Sequence, residues 1–334
     1  MAAVVVVAAT FASLRLPTHA TRRELVTAAA ATSLHGAMPL SASSSYPSTT
    51  KLSDGLFFPL ASFGLQIYDD DTAEQLTLLA LEAGYRNFFA SVLARNQVGF
   101  ARAVKRSGIK RDELFICGSV VSNRAIDEEA AYKFTQQGCR ENMEAFGAGN
   151  IDQLDMIMLD YPGPDDACIR GQWRAFEEMK TAGLVKTLAV SNFTPKQLDV
   201  VCSSKGSRPT VNQLALCVGY HDAGIIAANA RRGVHVQAWS PLGNGRLTRY
   251  SRDAPEVKEL CGRIGAAYGK TAYQVALRYL TQIGASYTVE AKSPTHFTED
   301  LSIFDFELSR EDLAALDALN KQPQYEGGPT PFTA

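Results

Sequence analysis

The chain has 334 residues, 46% of them hydrophobic and 20% charged, with a formal net charge of −2. That is the composition of a globular protein able to bury one large core, and length alone allows one barrel or two smaller domains. The charges are mixed, with no basic stripe interleaved with aromatics, which argues against nucleic acid as a partner.

The first fifty residues read as a leader rather than as part of the fold. From Met1 to Ser53 the only acidic residue is Glu24, against Arg15, Arg22 and Arg23 in a background of Ala, Ser and Thr. Low acid, scattered Arg and many hydroxyls are the signature of an organellar presequence. The expectation is a plastid stromal address over 1–50, ahead of a mitochondrial one. The opening run MAAVVVVAATFA is too short to span a bilayer. Arg22-Arg23 before ELVTAAAATSL also fits a twin-arginine signal, which makes the thylakoid lumen the alternative destination. No later segment has the length and apolarity of a transmembrane helix.

Beyond Lys51 short apolar runs alternate with longer amphipathic ones. FPLASFGL is a strand, and DDTAEQLTLLALEAG a helix that Asp71 or Thr72 caps and Gly84 ends. YRNFFAS, DELFICGSVV, LDMIMLDY, LVKTLAVSN, PTVNQLAL, VHVQAWSP and ASYTVEA follow as strands. Between them come the helices NQVGFARAVKRSG, DEEAAYKFTQQGCRENMEAFG, DACIRGQWRAFEEMKTAG, PKQLDVVCSS, DAGIIAANARRG and TAYQVALRYLTQIG, and SREDLAALDALN closes the series. Eight strands that each precede a helix match a (β/α)₈ TIM barrel over 51–320, with a tail over 321–334. Apolar rather than alternating strands suit a parallel sheet covered on both faces. A doubly wound sheet is the alternative, weakened by the lack of a G-x-G-x-x-G turn after the first strand. The six cysteines form no C-x-x-C pair and no histidine cluster has ligand spacing, so the pattern predicts buried thiols and no metal.

Barrel chemistry sits at the C-terminal ends of the strands, and those ends carry recognisable motifs. LEAGYRNFFAS, TAGLVKTLAVSNFTPKQL, TVNQLAL, VHVQAWSPLGNGRL and FDFELSREDLAALDALN occur in one order over residues 55–320. In that order they closely resemble segments of the aldo-keto reductases, NADP(H)-dependent oxidoreductases of carbonyl compounds. The resemblance implies that Ser191, Asn192 and Gln213 bind a nicotinamide carboxamide and that Trp239 takes the place of a stacking tyrosine. It implies that Ser240, Leu242 and Gly243 wrap the pyrophosphate with backbone N–H groups. Lys292 and Ser293 then face an adenosine 2′-phosphate, and Glu299 and Asp300 the adenine. His296 stands nearest the place where the family carries an arginine. Residue by residue, blander roles exist: Ser191-Asn192 as a helix cap, SPLG as a turn, Trp239 as core.

The same resemblance locates the family's proton-transfer tetrad. Its aspartate position is Phe89, its tyrosine position Ala94, its lysine position Ser119 and its histidine position Asp160. The acidic residue that follows V-N-Q is replaced by Ala215, and the next histidine by Cys217. Phe89 and Ala94 have no proton to give, and Ser119 is too weak an acid. Asp160 reads as an ionised strand-end carboxylate facing solvent; if burial kept it neutral, it would be the one remaining donor. Tyr161 follows it on the opposite face, Tyr68 lies in the first strand-to-helix loop, and Arg95 and Asn96 adjoin Ala94. Three functions follow as expectations: a nicotinamide-dependent oxidoreductase with a rearranged acid, a non-catalytic nucleotide-binding sensor, and a scaffold barrel without nucleotide. In the tail, Tyr325 and Phe332 are the aromatics a lid would use.

Overall fold

The computed structural model describes residues 48–221, 224–243 and 255–320. The first 47 residues of the expected leader, and the tail 321–334 with Tyr325 and Phe332, lie outside them.

The described chain opens with a hairpin of β1 (Thr49–Lys51) and β2 (Phe57–Pro59), paired antiparallel. The run FPLASFGL therefore divides. Its first residues belong to the hairpin and only Ala61–Gly64 form β3 of the barrel. Pro59 has no amide hydrogen to give a barrel neighbour. The chain changes partners at Leu60, whose N–H donates to Ser48 and whose carbonyl accepts from Tyr287. Phe58 packs edge-on against Phe115 at 5.0 Å and His235 at 6.0 Å. Those two residues begin the barrel strands Phe115–Val120 and His235–Trp239, so the hairpin plugs the N-terminal mouth.

Eight parallel strands close the barrel: β3, β4 (Asn87–Ala90), β5 (Phe115–Val120), β6 (Leu154–Asp160), β7 (Val185–Ser191), β8 (Val211–Ala215), β9 (His235–Trp239) and β10 (Ala285–Val289), with β10 paired back to β3. The helices α1 (Asp70–Ala83), α2 (Gln97–Ser107), α3 (Glu128–Gly147), α4 (Asp166–Thr181), α5 (Pro195–Cys202) and α6 (Ile225–Ala230) follow the first six barrel strands in turn. This is the expected (β/α)₈ TIM barrel. The cap of α1 is Asp69, which accepts from Thr72 N at 2.7 Å, rather than Asp71 or Thr72; Gly84 ends the helix at φ 109° as expected.

Three helices follow the last two barrel strands before α10 (Arg310–Asp317) closes the fold, and two of the three were not expected. After β9 come α7 (Pro255–Tyr268) and α8 (Ala272–Gln282), and after β10 comes α9 (Pro294–Leu301). The glycines of α7, Gly262 and Gly265, weaken its helical pattern. Gly265 is required by packing, because a Cβ there would meet the Lys270 carbonyl at 2.4 Å. In α9 only eight residues are helical, started by Ser293 as cap and Pro294 in the first turn.

Side chains alternate across each strand. Phe115, Cys117, Met156, Met158, Ala189 and Val211 form one buried cluster inside the barrel, reached by Leu52 and Phe58 from the hairpin. The opposite parity, including Ile116, Ile157, Leu188 and Tyr287, packs under the helices. Five of the six cysteines are buried and Cys202 is half-buried. Among the described residues no helix is long and apolar enough to cross a membrane.

Candidate active site

The inward parity fixes which side chains reach the C-terminal mouth. It is the parity of Phe89 on β4, Ser119 on β5, Asp160 on β6, Ser191 on β7, Gln213 on β8 and Trp239 on β9. Asp160 and Ser191 are register partners, as are Ser191 and Gln213. The polar residues of the sequence motifs are thus adjacent at one rim.

Asp160 does not face solvent: it is 6% exposed. The correction comes from Asn192, which has φ 63° and turns its side chain back over the strand ends. Its Nδ2 donates to Asp160 Oδ1 at 3.2 Å and to Ser191 Oγ at 2.9 Å. Its Oδ1 accepts from Trp239 Nε1 at 3.1 Å. Asn192 therefore ties the carboxyl to the indole through one amide group. Burial pushes the Asp160 carboxyl up to about 6, against the hydrogen bonds from Ser191 and Asn192 that pull it down.

Ser191 and Asn192 do not cap the next helix. Thr194 does, in a capping box with Gln197. Gln213 donates to Gln237 at 2.8 Å, a partner that sequence reading missed although the alternation of VHVQAW puts Gln237 and Trp239 on one face. Ser240 has φ 51° and accepts from Gly243 N–H at 2.9 Å across the turn that also holds Leu242. The chain from 244 to 254 lies outside the described residues.

Ser119, Ala94 and Phe89, where the resemblance places the rest of the tetrad, are committed to structure. Ser119 is fully buried; its Oγ accepts from Val92 N at 3.0 Å and donates to Ser91 Oγ at 3.4 Å. Ala94 is buried at the end of a short 3₁₀ turn, Val92–Ala94, that Ser91 caps. Phe89 packs against the interior cluster. Arg95 closes that turn at φ 56°, and Asn96 donates to the carbonyls of Gln66 and Tyr68.

On the far side of the mouth, Ser293 Oγ accepts from His296 N at 3.3 Å as the α9 cap. Asp300 is buried, and desolvation followed by the nearby Glu299 charge raises it to about 7. An open cleft of about 420 Å³ runs along this helix, lined by Gln274, Pro294, Thr295, Thr298, Glu299 and Ser302. One further cluster went unnoticed in the sequence. Tyr68 donates its hydroxyl to Glu290, which directly follows β10, and the Lys292 ammonium lies 4.9 Å from the Tyr68 ring centroid. Its signal was the inward parity Ser286, Thr288, Glu290.

The Aldo/keto reductase family model matches residues 58–321. The chain belongs to the aldo/keto reductase family. An aldo-keto reductase of Mycolicibacterium vanbaalenii is 30% identical over 285 residues, 85% of this chain and 96% of the relative. One from Mycobacterium avium is 30% identical over 292 residues, 87% of this chain and 96% of its own length. Among solved structures, an aldo/keto reductase from Brucella melitensis has a TM-score of 0.72 at 26% identity, covering 82% of this chain and 99% of that one. The aldo/keto reductases are oxidoreductases of carbonyl compounds, and members typically use NADP(H). Among the described residues no group of three or more His, Cys, Asp or Glu could hold a metal ion.

Proposed function

We propose that this aldo/keto reductase is a nicotinamide-nucleotide-dependent carbonyl reductase in which Asp160 has taken over proton donation. The observation that carries the proposal is the burial of Asp160 at the strand-end rim, tied through Asn192 to Trp239. The residues fit the nucleotide. Ser191, Asn192 and Gln213 offer a hydroxyl and two amides beside an indole face, which suits a carboxamide on an aromatic ring. Ser240, Leu242 and Gly243 form a tight turn whose amides suit a pyrophosphate. When bound, reduced nicotinamide supplies hydride to a carbonyl carbon. The nascent alkoxide then needs a proton. Phe89 and Ala94 have none to give and the Ser119 hydroxyl is too weak an acid, so the neutral form of Asp160 provides it. Asn192 holds the carboxyl in place by hydrogen bonding to Oδ1.

A second reading is a nucleotide-binding module without turnover. It is favoured by the way Ser119 on β5 ties down the β4–α2 turn through Val92 N and Ala94 is buried within that turn. Calorimetric titration of the full chain with NADPH and NADH, followed by assay on a panel of aldehydes and ketones, separates the readings. The reductase reading expects micromolar binding and a rate that falls as pH rises through about 6. The module reading expects binding alone. No binding of either nucleotide overturns both and leaves a scaffold barrel. The acid-poor leader supports a plastid address as part of the proposal, testable by the location of a fluorescent fusion.

A further inference from the structure

The adenosine end of the site carries a carboxylate that works against its own cation. Glu290 follows β10 directly, two residues before Lys292. Tyr68 stands between them: its hydroxyl donates to Glu290, while its ring lies beneath the Lys292 ammonium. Lys292 is exposed, and the Tyr68 hydroxyl first and the nearby Glu290 carboxylate after it favour its protonated form. Burial raises the Glu290 carboxyl, while the Tyr68 hydroxyl and Lys292 lower it. Ammonium, hydroxyl and carboxylate therefore lie together around Tyr68, and their net charge is zero when Glu290 is ionised.

A 2′-phosphate brings a charge of about −1.5 to −2 at neutral pH and needs an uncompensated cation. The segment from Glu290 to Asp300 contains one lysine, close to Glu290, and three carboxyl groups, Glu290, Glu299 and Asp300. The position nearest the family's arginine holds His296, an imidazole in place of a guanidinium. A ribose 2′-hydroxyl, by contrast, is a donor, and a carboxylate accepts it well. Resting on the nucleotide-binding reading above, we propose that the Tyr68–Glu290–Lys292 cluster makes this barrel select the nicotinamide dinucleotide that lacks a 2′-phosphate. Glu290 is the specificity-determining residue, and Tyr68 positions it against Lys292.

The test is calorimetric titration of the full chain with NADH and with NADPH, repeated for Glu290→Gln and Tyr68→Phe. The expected result is NADH binding at least about tenfold tighter in the wild type. Glu290→Gln shifts the ratio about tenfold toward NADPH, and Tyr68→Phe shifts it the same way by less. NADPH binding tighter in the wild type, or a ratio that neither variant moves, overturns the proposal and leaves nucleotide binding intact. Absence of binding by either nucleotide overturns both together. If Glu290→Gln does not fold, the wild-type ratio and Tyr68→Phe decide.

Discussion

Replacing Asp160 by Asn isolates the energetic consequence of burying that carboxyl. Its folded-state value lies near 6 against an ordinary 3.8. A gap of roughly two units corresponds to about 3 kcal/mol, at about 1.36 kcal/mol per unit. The folded state holds the proton more tightly, so stability is lost as pH rises from about 4 through about 6. Asn keeps the acceptor for Asn192 Nδ2 and removes the ionisation. Asp160→Asn is therefore expected to stabilise the protein at about pH 8 by up to ~3 kcal/mol and to have almost no effect at about pH 4. For a urea slope of ~3 kcal/mol/M, that is a midpoint shift of about 1 M present only at the higher pH. The wild-type profile alone does not suffice, because Asp300 contributes with the same sign up to about 7. His235, lowered by burial to about 4, contributes with the opposite sign as pH falls below 6.5. The difference between wild type and variant cancels both. Equal shifts at the two pH values, or a variant less stable at pH 8, would refute the burial of an ionisable Asp160.

Three further outcomes follow from the packing. Gly118→Ala puts a Cβ 2.5 Å from Asn142 Oδ1 and 2.9 Å from the Phe146 ring, and Asn142 is pinned by bonds with Ser119 O and Gln97. A loss of about 1–3 kcal/mol by overpacking is expected, read as a lowered calorimetric Tm. Thr271→Ala removes the capping box of α8 and costs about 1 kcal/mol in urea unfolding. Asn192→Ala withdraws a donor from Asp160 and is expected to raise its pKa further, measured by carboxyl-¹³C NMR titration. An unchanged titration would detach Asn192 from the carboxyl.

The barrel was legible because each strand and its following helix carry their own signal: apolar runs, polar caps and glycine stops. What failed to show were features set by tertiary contact. The split of FPLASFGL at Leu60 depends on partners at 48 and 287, far away in sequence. The glycines of α7 read as breakers, yet Gly265 is there because α7 approaches the Lys270 carbonyl. Strand ends could be named from motifs, and Asp160, Ser191, Gln213 and Trp239 do meet at one rim. The burial of Asp160 could not be named, because it is imposed by the left-handed backbone of Asn192, one strand over. The Tyr68–Glu290 bond spans 222 residues and joins two positions that have no motif in common.

The carboxyl that a reductase would use as an acid is also a charge beside the nicotinamide position, and this separates its two roles. Asp160 is two hydrogen bonds from the Trp239 indole, through the single amide of Asn192. An ionised Asp160 favours the oxidised nicotinamide ring, which is cationic, over the neutral reduced ring. As pH rises through about 6, the affinity for oxidised relative to reduced nucleotide should therefore increase, by about tenfold for ~1.4 kcal/mol of differential attraction. Calorimetric titrations with both redox forms between about pH 5 and about pH 8 measure it, with Asp160→Asn as the control in which the ratio stays flat. A pH-dependent ratio together with pH-dependent turnover assigns Asp160 to proton donation. A pH-dependent ratio without turnover assigns it to redox-state discrimination by a binding module. A ratio that does not move with pH in the wild type removes Asp160 from the nucleotide site altogether.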